Sequence, residues 1–197
     1  MQARKAEISR TTAETSVRVA VNLDGNGSSR INVPIGFFQH MLELFAKHSL
    51  IDVEVEARGD LHVDQHHTVE DVGICLGSAI REALGEKVGI QRYGWCQLPM
   101  EESLVSASVD LGGRPYFVLK GKRIPAERIG DFPSELVADF WHAVAMNVPC
   151  NLHVMVHYGR NSHHLVEGIF KAIAKAFRQA VERDPRRGDI PSTKGTL

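Results

Sequence analysis

The chain has 197 residues, 43% apolar and 24% charged, which suits one compact unit or two closely packed halves and speaks against wholesale disorder. Lys and Arg number 23 against 24 Asp and Glu, and a net charge of -1 argues against a general nucleic-acid binder, which needs a basic excess. Cys75, Cys96 and Cys150 form no CxxC pair and are odd in number, so a disulfide framework is not expected and a reducing compartment fits better.

In chain order, the opening MQARKAEISRTTAETS lacks the apolar segment of a secretory signal. No run of about 18 apolar residues follows it, so the expectation is a soluble, cytoplasmic protein with no membrane partner. ETSVRVAVNLDG from Glu14 alternates apolar and polar residues and ends in a Gly turn, the pattern of a half-buried strand. FFQHMLELFAKHSL, after Pro34 and Gly36, reads as a helix, and IDVEVEA from Ile51 as a strand closed by Gly59. HHTVEDVGICLGSAIREAL from His66 has the apolar spacing of a helix packed on one face. A loop around Gly85 to Gly94 leads to the strand ESLVSASVDLGG from Glu102. PSELVADFWHAVAMNV starts a helix at Pro133 with Ser134 as its cap. NLHVMVH from Asn151 is a strand followed by Gly159, and HHLVEGIFKAIAKAFRQAV from His163 is the last helix. The tail from Asp184, punctuated by Pro and Gly, reads as an arm that either stays free or folds over an anion.

The second half repeats the first. His66, His67, Val69 and Glu70 return 97 positions later as His163, His164, Val166 and Glu167, and Glu14 returns as Glu102 after 88. Self-similarity at this scale predicts a duplicated α+β fold, each half running strands, helix, strand, helix. The boundaries are 1–90 and 91–183 for the halves and 184–197 for the arm, in one compact body.

All ten histidines lie between His40 and His164. In a helix, residues four apart are turned by about 40° and three apart by about 60°, so Glu70 shares a face with His66 and His67. Adjacent histidines diverge by about 100°, so each points at a different ion. The same holds for His163, His164 and Glu167. Duplicated HHxxE therefore predicts two metal sites, with His40 as the further donor in the first half. Imidazole and carboxylate donors suit Mn, Fe, Co, Ni or Zn, and a set without Cys disfavours structural zinc. HHxxE is not the HExxH of metalloproteases, whose glutamate lies between the histidines. Arg92, Arg114, Lys171, Ser192 and Lys194 offer guanidinium, ammonium and hydroxyl groups that suit phosphate oxygens, although spacing alone does not make them converge.

The stretches ETSVRVAVNLDG, GFFQHML, GDLHVDQHHTVEDVG, PMEESLVSASVDLGGRPY, GRNSHHLVEGIFKA and PSTKG resemble the imidazoleglycerol-phosphate dehydratase family, from about Arg10 to Lys194. The resemblance implies helices held between two four-stranded sheets. It implies dehydration of imidazole glycerol phosphate to imidazole acetol phosphate in histidine biosynthesis. It also implies two Mn(II) ions per active site and a homo-oligomer of 24 subunits with shared active sites. By position it gives His40, His66, His67, Glu70, His163, His164 and Glu167 as metal ligands and Glu14 as a proton-transfer group, with Glu70 and Glu167 as further candidates. It gives Arg92, Arg114, Lys171, Ser192 and Lys194 to the phosphate. Two positions depart from the pattern. Asp139 stands where relatives carry His or Glu, with His142 one turn on as a rival ligand, and Leu44 replaces the usual Gln. The competing readings are a two-metal hydrolase of a phosphate ester or amide, and a non-enzymatic metal-storage or metal-sensing shell.

Overall fold

The computed structural model describes residues 3–197; the first two residues, which begin the opening segment and the half expected over 1–90, lie outside it. Strands β1 (Lys5–Thr11), β2 (Thr15–Asn22) and β3 (Ser29–Asn32) precede helix α1 (Gly36–Ser49), strand β4 (Asp52–Gly59) and helix α2 (His66–Leu84). The second half repeats this order with β5 (Tyr93–Met100), β6 (Ser103–Asp110), β7 (Tyr116–Gly121), α3 (Leu136–Asn147), β10 (Asn151–Tyr158) and α4 (Ser162–Val181). A ribbon of β8 (Arg128–Ile129) and β9 (Phe132–Pro133) is inserted before α3.

The two four-stranded sheets have the same order, β1-β2-β4-β3 and β5-β6-β10-β7. In each, the third strand pairs parallel to the fourth across an intervening helix, and the other pairs are antiparallel. The expected alternation is visible: Val17, Val19 and Val21 of β2 are buried, as are Val105, Ala107 and Val109 of β6. These inner faces cover the helices. Phe38 meets Phe140 edge-on at 5.0 Å, Phe140 stacks on Phe170 at 5.5 Å, and Phe45 meets Phe177 at 6.0 Å. Each fully buried Phe contributes about 1.5–3 kcal/mol of apolar burial, so the aromatic cluster welds α1, α3 and α4 into one core.

The helices pair across the duplication: α1 packs on α4, and α2 on α3. Gly73 and Gly77 explain the second pairing. A Cβ on Gly73 would lie 2.8 Å from the Phe140 carbonyl oxygen, and one on Gly77 2.6 Å from that of Val144. Ser134 does not cap α3, which starts two residues later. Its hydroxyl donates to the Pro125 carbonyl at 2.6 Å and accepts the Glu127 amide at 3.2 Å, closing the ribbon instead. The tail is folded, not free: the Gly89 amide donates to the Asp189 carbonyl, and Arg92 Nη1 donates to that of Pro191 at 2.8 Å.

Candidate active site

Both HHxxE segments open a helix. Asn161 Oδ1 accepts the amides of His163 and His164 at 2.9 and 3.4 Å, a side-chain cap that fixes the first turn of α4. The cap position of α2, Gln65, makes no such side-chain bond; Asp64, one residue earlier, accepts the His66 amide with Oδ1 at 2.8 Å. Within each pair the rings stand nearly perpendicular, at 88° for His66 and His67 and 80° for His163 and His164. The two histidines of a pair therefore serve different surroundings.

The first histidine of each pair faces the partner helix from the other half. His163 Nε2 lies 3.1 Å from Glu167 Oε2, and His40 Nε2, on α1, lies 4.0 Å from the same oxygen. Their ligand atoms all fall within 4.8 Å of one another. His66 Nδ1 lies 3.8 Å from Asp139 Oδ2 on α3. The sequence expectation that grouped His40 with the first-half pair is corrected here: the α1–α4 packing carries it to the second-half pair, and Asp139 is its counterpart at the other cluster. His142 is turned away, its ring 6.3 Å from that of Phe117. Glu70 stands exposed one turn along α2 from His66, outside the three-donor groups.

The second histidine of each pair faces a carboxylate near its own helix. His67 Nδ1 lies 3.1 Å from Asp60 and 3.7 Å from Glu14. Asp60 raises the His67 pKa, burial opposes the rise, and Glu14 adds to it. His164 Nδ1 lies 2.8 Å from Glu102 Oε2, while Glu102 Oε1 accepts the amides of Asn161 and Arg160 at 2.7 and 3.1 Å. The Asn161 amide and His164 hold the Glu102 carboxyl far below the usual carboxylate range.

Glu167 is buried, and burial alone would raise its pKa, but Lys171 and His163 override that and keep it lowered. Lys171 Nζ donates directly to Glu167 Oε1. Both clusters use only imidazole nitrogen and carboxylate oxygen, a set that fits a divalent ion such as Mn(II). Burial pushes the Cys75 and Cys150 thiols up to about 11 and about 12, which leaves them inert.

The sequence profile of the imidazoleglycerol-phosphate dehydratase family matches residues 33–177. An imidazoleglycerol-phosphate dehydratase from Rhodopirellula baltica is 54% identical over 194 residues, covering 98% of this chain and 96% of the relative. One from Geobacillus kaustophilus is 50% identical, covering 99% of this chain and all of the relative. The chain belongs to the imidazoleglycerol-phosphate dehydratase family. It is therefore an enzyme. The crystal structure of the Staphylococcus aureus imidazoleglycerol-phosphate dehydratase has a similar fold, with a TM-score of 0.82 and 35% identity over 91% of this chain and 99% of that one. The Pyrococcus furiosus structure, in complex with (S)-C348, gives 0.81 and 34% over 96% of this chain and 100% of that one.

Within one chain of this family member, the five candidate phosphate residues do not form one cluster. Arg92 is clamped by Asp110 at 2.7 Å and bonded to the folded tail, where Ser192 Oγ accepts the Lys194 amide. The Arg92 amide meets the Ala180 carbonyl near the end of α4, whereas Lys171 lies nine residues earlier, roughly 13 Å along the axis. Arg114 is exposed, with its carbonyl accepting Asn151 Nδ2 at 2.7 Å. Leu44, which the resemblance marked as a departure, packs on the edge of the core. Sequence reasoning missed Asp60 and Glu102. The 88-residue offset that pairs Glu102 with Glu14 was the signal for one; Asp60 lies inside GDLHVDQHH but carries no pattern of its own.

Proposed function

We propose that the enzyme dehydrates imidazole glycerol phosphate to imidazole acetol phosphate, a step of histidine biosynthesis in the cytoplasm, using two Mn(II) ions per active site. The observation that carries this reading is the pair of clusters built across the duplication, His40–His163–Glu167 and His66–Asp139. His40, His163 and Glu167 would hold one ion; His66, Asp139 and Glu70 the other. His67 and His164, whose rings stand nearly perpendicular to those of their neighbours, would serve sites shared with a neighbouring subunit in a homo-oligomer of 24 chains. The open setting supports that sharing: the side chains of His40, His66, Asp139 and His163 are each 41–48% exposed. When bound, the ions supply Lewis acidity that acidifies a coordinated group.

The residues of the chain do the rest. Glu14 sits on the β1–β2 turn, where Thr12 Oγ1 accepts its amide at 3.1 Å and its carbonyl accepts the Asp60 amide at 3.1 Å. The backbone is thus pinned while the carboxylate stays exposed and ready to exchange a proton with substrate. Lys171 neutralises Glu167 and presents a cation to an anionic substrate group. Arg92, held by Asp110 and the tail, joins Arg114, Ser192 and Lys194 in gripping the phosphate and fixing its register.

A coupled assay with purified protein and Mn(II) tests the reading. A keto product with its phosphate retained is expected; release of inorganic phosphate would establish the two-metal hydrolase instead. In the same assay Glu14→Gln keeps its metal while turnover falls about 100-fold or more. Near-normal turnover would remove Glu14 from the reaction.

A further inference from the structure

The duplicated halves hold their second histidines with carboxylates from non-equivalent places. In the second half Glu102 reaches His164 Nδ1, and its other oxygen is occupied by the Asn161 and Arg160 amides. Its sequence twin, Glu14, stops 3.7 Å short of His67, outside hydrogen-bonding range. Asp60, immediately after Gly59 at the end of β4, takes the position beside His67 Nδ1 with both oxygens, at 3.1 and 3.2 Å. The equivalent place after Gly159 is Arg160, which makes no such offer to His164 through a carboxylate.

We infer that Asp60 and Glu102 are the positioning residues of His67 and His164, each accepting Nδ1–H so that Nε2 keeps its lone pair for a metal ion, and that Asp60 thereby releases Glu14 from the task its twin performs. An imidazole whose Nδ1–H is held by a carboxylate has one tautomer and one orientation, and its outer nitrogen is the better donor. The division of labour follows from the duplication. Of the twin glutamates, Glu102 is a fully committed support, whereas Glu14, with Asp60 in its place beside His67, keeps an exposed carboxylate. This inference rests on the metal reading proposed above for His67 and His164, and its last clause on the role of Glu14.

The supports differ in a way that gives the test its edge. Asp60 offers both oxygens to His67, so an Asn at 60 can turn its amide oxygen to Nδ1–H and keep the bond. Glu102 cannot be replaced so simply. A Gln at 102 must leave its one oxygen on the two backbone amides, so its NH2 faces His164 Nδ1. That reverses the tautomer and puts the proton on Nε2.

Mn(II) affinity is measured by equilibrium dialysis and by electron paramagnetic resonance on the full-length protein, with melting of the metal-free form as a control for folding. Asp60→Ala and Glu102→Gln should each weaken binding by about 10–100-fold, while Asp60→Asn stays within about threefold of the parent. Binding by Asp60→Ala and Glu102→Gln that equals the parent would overturn the inference, as would an Asp60→Asn as weak as Asp60→Ala. If Glu102→Gln fails to fold, the Asp60 pair decides alone. Glu14→Gln should bind Mn(II) like the parent; a loss as large as that of Asp60→Ala would mean that Glu14 itself holds His67. Near-normal turnover of Glu14→Gln with unchanged Mn(II) binding would remove its catalytic role but leave Asp60 and Glu102 as supports.

Discussion

Glu167 shows how one side chain is kept charged where burial disfavours charge. It is 7% exposed, and only Lys171 and His163 hold its pKa below the ordinary value near 4.5. A carboxyl lowered on folding stabilises the native state above its unfolded pKa, and that contribution disappears as pH falls through the folded value. Lys171→Met removes the main counterweight and leaves burial, which raises the pKa. The metal-free variant should therefore be less stable at pH 7, by about 1–3 kcal/mol for a lost charged hydrogen bond. The difference should shrink as pH drops below the carboxylate range, where Glu167 is protonated in both proteins. Urea unfolding of EDTA-treated protein, followed from pH 7 down to about pH 3 so that the lowered folded value is crossed, measures it, and a gap independent of pH would assign the loss to packing of the lysine stem.

At the scale of elements, the approach of α2 to α3 decides where Asp139 meets His66. Gly73 and Gly77 leave no room for a side chain against the Phe140 and Val144 carbonyls, whereas their counterparts in α4 are Phe170 and Ala174. The two helix pairs are thus spaced differently, although they descend from one pattern. Gly77→Ala pushes α3 outward; such overpacking costs about 1–3 kcal/mol. Its thermal midpoint should fall, and Mn(II) binding should weaken more than for an Ala at an exposed α2 position such as Glu82. Parent-like values on both measures would show that the close approach is not needed. This packing also marks what the sequence could disclose. Strands β2, β4, β6 and β10 are legible because each has one wet and one dry face, and α2 and α4 because their apolar spacing repeats. β5 is not, since Gly94 and Pro99 interrupt YGWCQLPM, and four-residue β3 is too short to show a period. HHxxE displays its imidazole and carboxylate groups in the sequence, but not how they are grouped in space. His40 joins His163 across the duplication because α1 packs on α4, and no local pattern encodes which helix a helix will meet.

For the whole molecule, the outer faces of the two sheets differ in a way the repeat does not require. The first is charged: Arg18 pairs with Glu7 at 2.8 Å and approaches Glu54 and Glu56 at 4.0 Å. The second carries Tyr93, Trp95, Tyr116 and Met155, with Trp95 68% exposed. If the chain assembles as proposed and metal ligands also build the subunit contacts, chelation by EDTA should dissociate the oligomer, and so should acidification, because histidine must be neutral to bind. Light scattering before and after complete metal removal checks this; an assembly that persists would confine the ions to catalysis. The same experiment reads the aromatic face. Of the two tryptophans, Trp141 is 1% exposed, so Trp95 alone reports on the surface. If the exposed Tyr93 and Trp95 pair on β5 lies in a subunit contact of the proposed oligomer, acrylamide should quench Trp95 weakly in the metal-loaded assembly and strongly after dissociation. Equal quenching in a sample that has demonstrably come apart would place the subunit contacts elsewhere and leave Trp95 in water in both states.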